Sequence, residues 1–253
     1  MRICNLSSGS KGNCTYIETK KHKILIDVGT SSLQIEKSLN SIGVLPSDID
    51  LILITHAHVD HIKGLKVFNK KYSPQIYITD LILKEANLED MDFNKIQELS
   101  KIDDIVITEI NLSHDVDDIK GYIIEENESS IVYITDTGYI NESYLKDLNN
   151  KNVYIFESNH DVEMLMNNEN YPHHTKIRIL GDKGHLSNKD SSYYLTKMIG
   201  NNTKYIVLAH LSEQNNTEEL ALDCLKNTLK SKSKYDPTIF VAKQNQMTEM
   251  LEV

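Results

Sequence analysis

The chain has 253 residues, 40% of them hydrophobic and 25% charged, which suffices for a full core and speaks against extended disorder. Its net charge of −10 argues against indiscriminate adhesion to nucleic acid, which depends on a broad positive field, but leaves room for a local basic groove. Cys4, Cys14 and Cys224 are odd in number and form no CxxC pair, so neither a disulfide framework nor a zinc ribbon is indicated; they are expected to be buried small side chains.

In chain order, residues 2–6, 15–18 and 23–28 are expected to be successive strands of an antiparallel meander, with "SSGSKGN" (7–13) as the first turn. "SSLQIEKSLNSIG" (31–43) starts on serine and spaces Leu33, Ile35, Leu39 and Ile42 near helical period, with Gly43 as the stop. "DLILIT" (50–55) is a near-continuous apolar run, as expected of a strand covered on both faces. Helix is expected over 62–71 and 80–87, strand at 75–79 and 104–110, and a β pair at 119–125 and 130–135. Helices near 141–149, 175–181, 188–200 and 217–230 then alternate with strands at 153–157, 204–209 and 238–242. Meanders followed by this alternation predict an α/β fold of two β-layers with helices outside, in one domain over 1–253. No apolar run approaches the length of a membrane span, and a soluble, cytoplasmic protein is expected.

The chemistry concentrates in "THAHVDH" (55–61), directly after the buried strand. In an extended turn His56 and His58 project to one side, while Asp60 and His61, entering a helix, point to an adjacent position. Two such pairs suit two metal ions, and imidazole with carboxylate suits Zn, Fe or Mn. Ions about 3.5 to 4 Å apart generate a hydroxide near neutral pH, which is hydrolytic chemistry.

"HAHVDH" resembles the HxHxDH signature of the metallo-β-lactamase fold. Together with "LSSGSKGN", "LIDVG", "LSHD", "YITDTGY", "FESNHDVEML", "GHLSN" and "LAHLSEQNN", in order from residue 6 to 216, it is similar to the YycJ/WalJ subfamily, whose members resemble DNA exonucleases. The resemblance implies an αββα sandwich of two mixed sheets with a dinuclear site at one edge. Carried onto this chain, it places His56, His58 and His114 on one ion and Asp60 and His61 on the second, with Asp136 bridging. His114 and Asp136 each follow an expected strand, which is where side chains meet at a sheet edge. Asp27 matches an acidic position that supports the histidine loop, where a carboxylate would orient an imidazole.

Two similar stretches, "KGHLSN" and "LAHLSE", are expected to differ in role. His210 closes a strand and so completes the second metal. His185 lies in a loop beside a helix start, and resembles a histidine that in related branches assists catalysis without binding metal; it is read as a proton donor or phosphate contact. His160 is placed behind the ligands, while His22 is expected to be solvated. Lys176 and Arg178, in the best local basic patch, are candidate contacts to a DNA backbone, and Lys63 is the one lysine of the helix after the motif close to the site. "SSGSKGN" reads as a hairpin turn on its own; the resemblance brings Ser10 and Asn13 into the substrate cleft.

The implied activity is hydrolysis of DNA by a hydroxide bridging two divalent ions, Zn, Mn or Fe, with Asp60 and His185 catalytic and 5′-to-3′ polarity taken from the resemblance. The short Asp136–His185 spacing leaves no room for a large inserted clamping domain. A hydrolase of a small phosphodiester or thioester, or a non-catalytic regulatory member of the fold, is the alternative.

Overall fold

The computed structural model describes residues 1–95 and 99–253. Two sheets face each other, each with seven strands among the described residues. The first begins as the expected meander: β1 (Arg2–Ser7), β2 (Cys14–Glu18) and β3 (Lys23–Ile26) pair antiparallel. It continues in parallel through β4 (Leu51–Leu53), β5 (Gln75–Tyr77) and β6 (Asn94–Lys95). The second repeats the plan. The strands β7 (Lys101–Ile102), β8 (Ile105–Asn111), β9 (Lys120–Glu126) and β10 (Ser129–Ile134) are antiparallel. They lead into parallel β11 (Val153–Glu157), β12 (Tyr205–Ala209) and β13 (Thr238–Val241).

Strand side chains alternate between two cores. Ile24 and Ile26 meet Ile131, Tyr133 and Ile155 between the sheets. Leu25 and Ile52 point the other way, toward α1 (Ser32–Ser41) and α3 (Leu65–Tyr72), where Ile35, Leu39 and Phe68 cover them. On the far face, Val132, Ile134 and Phe156 pack with Leu195 of α8 (Asn188–Met198) and Leu225 of α9 (Glu218–Lys232). A strand buried on both faces needs apolar residues at consecutive positions, which accounts for runs such as "LILI". The result is the αββα sandwich, and every parallel strand delivers its C-terminal end to the same edge.

Boundaries moved where side chains compete with the ladder. The strand expected over 50–55 stops at Leu53, because the Thr55 amide donates to Asp27 Oδ1 at 2.9 Å instead of to a neighbouring strand. The helix expected over 62–71 is split into α2 (Val59–Ile62) and α3, with Gly64 between them. The elements not anticipated include α6 (Val162–Asn167), capped by the Asp161 carboxylate; the short β6 and β7; and β14 (Leu251–Glu252), which returns to pair with β1. The remaining helices on the outer faces are α4 (Asp80–Glu85), α5 (Leu145–Leu148) and α7 (His173–Leu180). No helix among the described residues is long and apolar enough to cross a membrane.

Candidate metal centre

The edge where the strands end gathers the histidines and carboxylates of five separate segments. Asp27 follows β3, the His56–His61 turn follows β4, His114 follows β8, Asp136 follows β10, and His210 follows β12. Three of these residues, Asp27, Asp136 and His210, have φ of 59°, 60° and 56°, a left-handed conformation that costs a non-glycine residue roughly 1–2 kcal/mol. Asp and His tolerate it better than most, and it turns the side chain off the strand toward the edge.

Ligand-capable atoms of His56, His58 and His114 lie within 4.8 Å of one another, as do those of Asp60, His61 and His210. Asp136 touches both sets: it groups with His56 and His61 within 4.8 Å, and its Oδ2 is 3.2 Å from His61 Nε2 and its Oδ1 3.3 Å from His210 Nε2. The ring tautomers are set from behind. His61 Nδ1–H donates to Asp27 Oδ2 at 2.7 Å, and His114 Nδ1–H to the Gly184 carbonyl at 3.0 Å, so each Nε2 faces the cluster. His56 Nε2 is buried without a partner, and His210 Nε2 and Asp136 Oδ2, despite their close neighbours, make no well-aligned hydrogen bond. Such atoms cost free energy unless something fills them, and divalent cations fit this donor set of imidazole nitrogen and carboxylate oxygen.

Burial pushes the His56 and His114 imidazoles below the usual histidine range, which keeps them neutral and able to ligate. Burial alone would lower His61 too, but Asp27 and Asp136 outweigh it and raise it well above that range. The Asp136 carboxyl is likewise opposed by burial, yet His210 and His61 hold it well below the carboxylate range.

Glu157, at the end of β11, was missed in the sequence. Its Oε1 accepts from His185 Nδ1 at 2.8 Å and His210 Nδ1 at 3.1 Å, and its Oε2 accepts from the amides of Thr137 and Leu186. The signal was available, since an acid ending the fully apolar run "VYIF" has to be paired. Despite complete burial, His185 holds the Glu157 carboxyl down at about 2. His185 thus shares a carboxylate with His210, and Asp136, Glu157, His185 and His210 also converge within 4.8 Å.

Several other expectations change. Asn13 is 1% exposed and faces inward rather than into an open cleft: its Nδ2 is 2.9 Å from His61 Nε2 and 3.3 Å from Asp60 Oδ2, so it braces the Asp60–His61 turn. Ser10 lies exposed at the loop tip; its neighbour Ser8 instead accepts the His210 amide at 2.7 Å. The His160 ring is buried with both nitrogens unpartnered, so it orients no ligand; only its carbonyl is used, accepting from the Asn188 amide. Burial pushes that imidazole down to about 4. Lys176 Nζ donates to the Met166 carbonyl at 2.7 Å. Arg178 does reach the centre: it pairs with Asp115, whose Oδ1 is 3.1 Å from His114 Nε2 and 3.6 Å from His58 Nε2. His22 is not solvated but bracketed by Asp50 and Asp103.

Residues 8–210 match the family model of the metallo-β-lactamase superfamily. The chain belongs to the metallo-β-lactamase superfamily. Within it, the chain is a homologue of two curated exodeoxyribonucleases. It is 39% identical to exodeoxyribonuclease WalJ of Streptococcus pneumoniae serotype 2 over 88% of this chain and 86% of that protein. With exodeoxyribonuclease YycJ of Bacillus anthracis the identity is 35%, over 90% and 88%. Solved metallo-β-lactamase folds superpose along nearly the full length. YhfI from Bacillus subtilis matches with a TM-score of 0.70 at 15% identity over 98% of each chain. Zn(2+)-bound PqqB from Methylobacterium extorquens gives 0.72 at 13% identity, over 98% of this chain and all of that one. At such identities these structures speak to the superfamily's fold alone.

Proposed function

We propose that this metallo-β-lactamase-fold protein is a metal-dependent phosphodiester hydrolase that degrades DNA from the 5′ end. The observation that carries the reading is the chain of overlapping buried clusters in which Asp136 groups with His56 and His61 on one side and with His185, His210 and Glu157 on the other, each within 4.8 Å. Homology to exodeoxyribonucleases supports DNA as the substrate class.

In this reading His56, His58 and His114 would hold one divalent ion and Asp60, His61 and His210 the other, with Asp136 available to both. Ions held there would supply an activated water near neutral pH and offset charge on the phosphoryl oxygens. Zn, Mn and Fe all suit these donors, and availability selects among them.

The chain's own residues do the rest. Asp27 and Glu157 fix the tautomers of His61 and His210. His185, 17% exposed in its side chain, keeps Nδ1–H on Glu157 Oε1, which turns Nε2 toward the cleft. Its Nε2–H then donates a proton to the leaving 3′ oxygen. Arg178, held by Asp115 beside His58 and His114, contacts the phosphate backbone next to the scissile bond.

Hydrolysis of linear DNA, of bis(p-nitrophenyl) phosphate and of a β-lactam, each with Mn²⁺ or Zn²⁺, tests the reading. DNA turnover with no lactam turnover is expected. Hydrolysis of the small diester with none of DNA would overturn the substrate assignment.

A further inference from the structure

Beside the metal centre a cleft of about 550 Å³ opens between α1, the 7–13 loop and residues 244–247. Lys11, Lys37 and Lys63 line it together with the hydroxyl-bearing Thr30 and Ser31, and no carboxylate does. In a chain with 37 acidic residues against 27 basic ones, a carboxylate-free cleft with three lysines is a local reversal of the overall field. Lys11 Nζ is 2.6 Å from Glu213, but Lys37 and Lys63 are exposed and enter no ion pair among the described residues. Nor does the first turn of α1 carry an acidic residue.

The cleft and the metal centre share their walls. Lys63 comes two residues after His61, and the Thr30 carbonyl packs against Gly64. Lys11 sits in the loop whose Asn13 braces Asp60 and His61. That loop is fixed from the far side by Gln244: its Oε1 accepts the Lys11 amide at 2.7 Å, and its Nε2 donates to Ser7 Oγ at 3.0 Å and to the Gly12 carbonyl at 2.9 Å. The lysines therefore stand on rigid elements, which lowers the ordering cost of binding an anion there.

We infer that this cleft takes the sugar-phosphate backbone of the substrate strand beyond the scissile phosphate, with Lys37 and Lys63 neutralising phosphate and the Thr30 and Ser31 hydroxyls donating to it. The inference rests on the nuclease reading above and extends it. A polyanion whose charges repeat along a chain needs a second cationic station next to the reacting one, whereas a small diester does not. Cations and hydroxyls without carboxylates are the chemistry of backbone contact, which positions the strand without reading its sequence.

Steady-state kinetics of the metal-loaded Lys37→Ala/Lys63→Ala protein on labelled DNA, over roughly 50 to 200 mM salt, test it. KM should rise about tenfold at the low-salt end with kcat held, and the dependence of log(kcat/KM) on log salt should flatten by about 0.7 to 0.9 for each phosphate that is no longer neutralised. Lys37→Gln alone should show a smaller change of the same kind, and unchanged thermal melts show that either variant folds. Unchanged KM and salt slope, in a protein whose wild type degrades DNA, would overturn the cleft while leaving the nuclease reading intact. A fall in kcat alone would also overturn it. A wild type that degrades no DNA would sink both.

Discussion

His185 and His210 meet the same carboxylate, Glu157, yet differ in what lies beyond it. His210 Nε2 is buried and points between Asp60 and Asp136, whereas His185 is partly open and its Nδ1 is 3.8 Å from Asp136. Asp60→Ala should abolish hydrolysis and lose one ion. His185→Ala should lose about 10²- to 10⁴-fold in kcat, the usual scale for a proton donor, and keep both. Elemental analysis of the two purified proteins decides, and an ion lost with His185 contradicts its assignment. His210 also sets a pH dependence. In the metal-free chain burial would lower its imidazole, but Asp136, Asp60 and Glu157 prevail and push it up to about 10. The folded value exceeds that of free histidine, about 6.5, so this proton's stabilisation is complete below about pH 6.5 and is lost as pH rises toward 10. Melting temperature of chelator-stripped protein should fall between about pH 7 and 9 more steeply than that of the loaded protein, in which an ion takes the proton's place. Parallel curves would count against it. The ligand candidates were legible because His and Asp stood at ends of apolar runs. Glu157 and the inward turn of Asn13 were not, since each depends on which strand ends become neighbours.

At the scale of elements, the centre is built by loops that clasp one another. The Asn13 amide donates to the Asp60 carbonyl, the Val28 amide to the His61 carbonyl, and the Gly29 amide to the Asn13 carbonyl. A Cβ on Gly29 would stand 1.6 Å from the Asp60 carbonyl oxygen, so no side chain fits without parting the clasp. Gly29→Ala should therefore lower the melting temperature by several degrees, on the order of 4 °C or more, and reduce metal content as well. A variant that melts and loads like the wild type would refute that close approach. The apolar runs and serine caps made most strands and helices readable in sequence. Their ends were less so: β4 stops early because Asp27 takes the Thr55 amide, and α6 starts at an Asp161 cap in a stretch with weak periodicity.

Across the whole molecule, two sheets with the same plan, meander then parallel strands, bring their C-terminal edges together. The repeat was visible as two β-rich stretches, each passing into helix–strand alternation. The strand order was not, nor the return of β14 to β1, because both rest on contacts between residues far apart in the chain. The lysine cleft is of the same kind, assembled from residues near 7–13, 30–41, 63 and 244–247, none of which is basic enough in sequence to stand out against a net charge of −10. On a body of net negative charge, ions held at the histidine- and carboxylate-lined edge and the lysine cleft beside it would favour processing of a strand threaded along them over broad adhesion to duplex DNA. Metal-dependent removal of nucleotides from a 5′ end is tested directly by the products of otherwise identical duplexes labelled at the 5′ or the 3′ end. With Mn²⁺ the 5′ label should appear at once as a short product while the 3′ label shortens progressively, and a chelator should stop both. Early release of the 3′ label, or degradation undiminished by the chelator, would contradict the account.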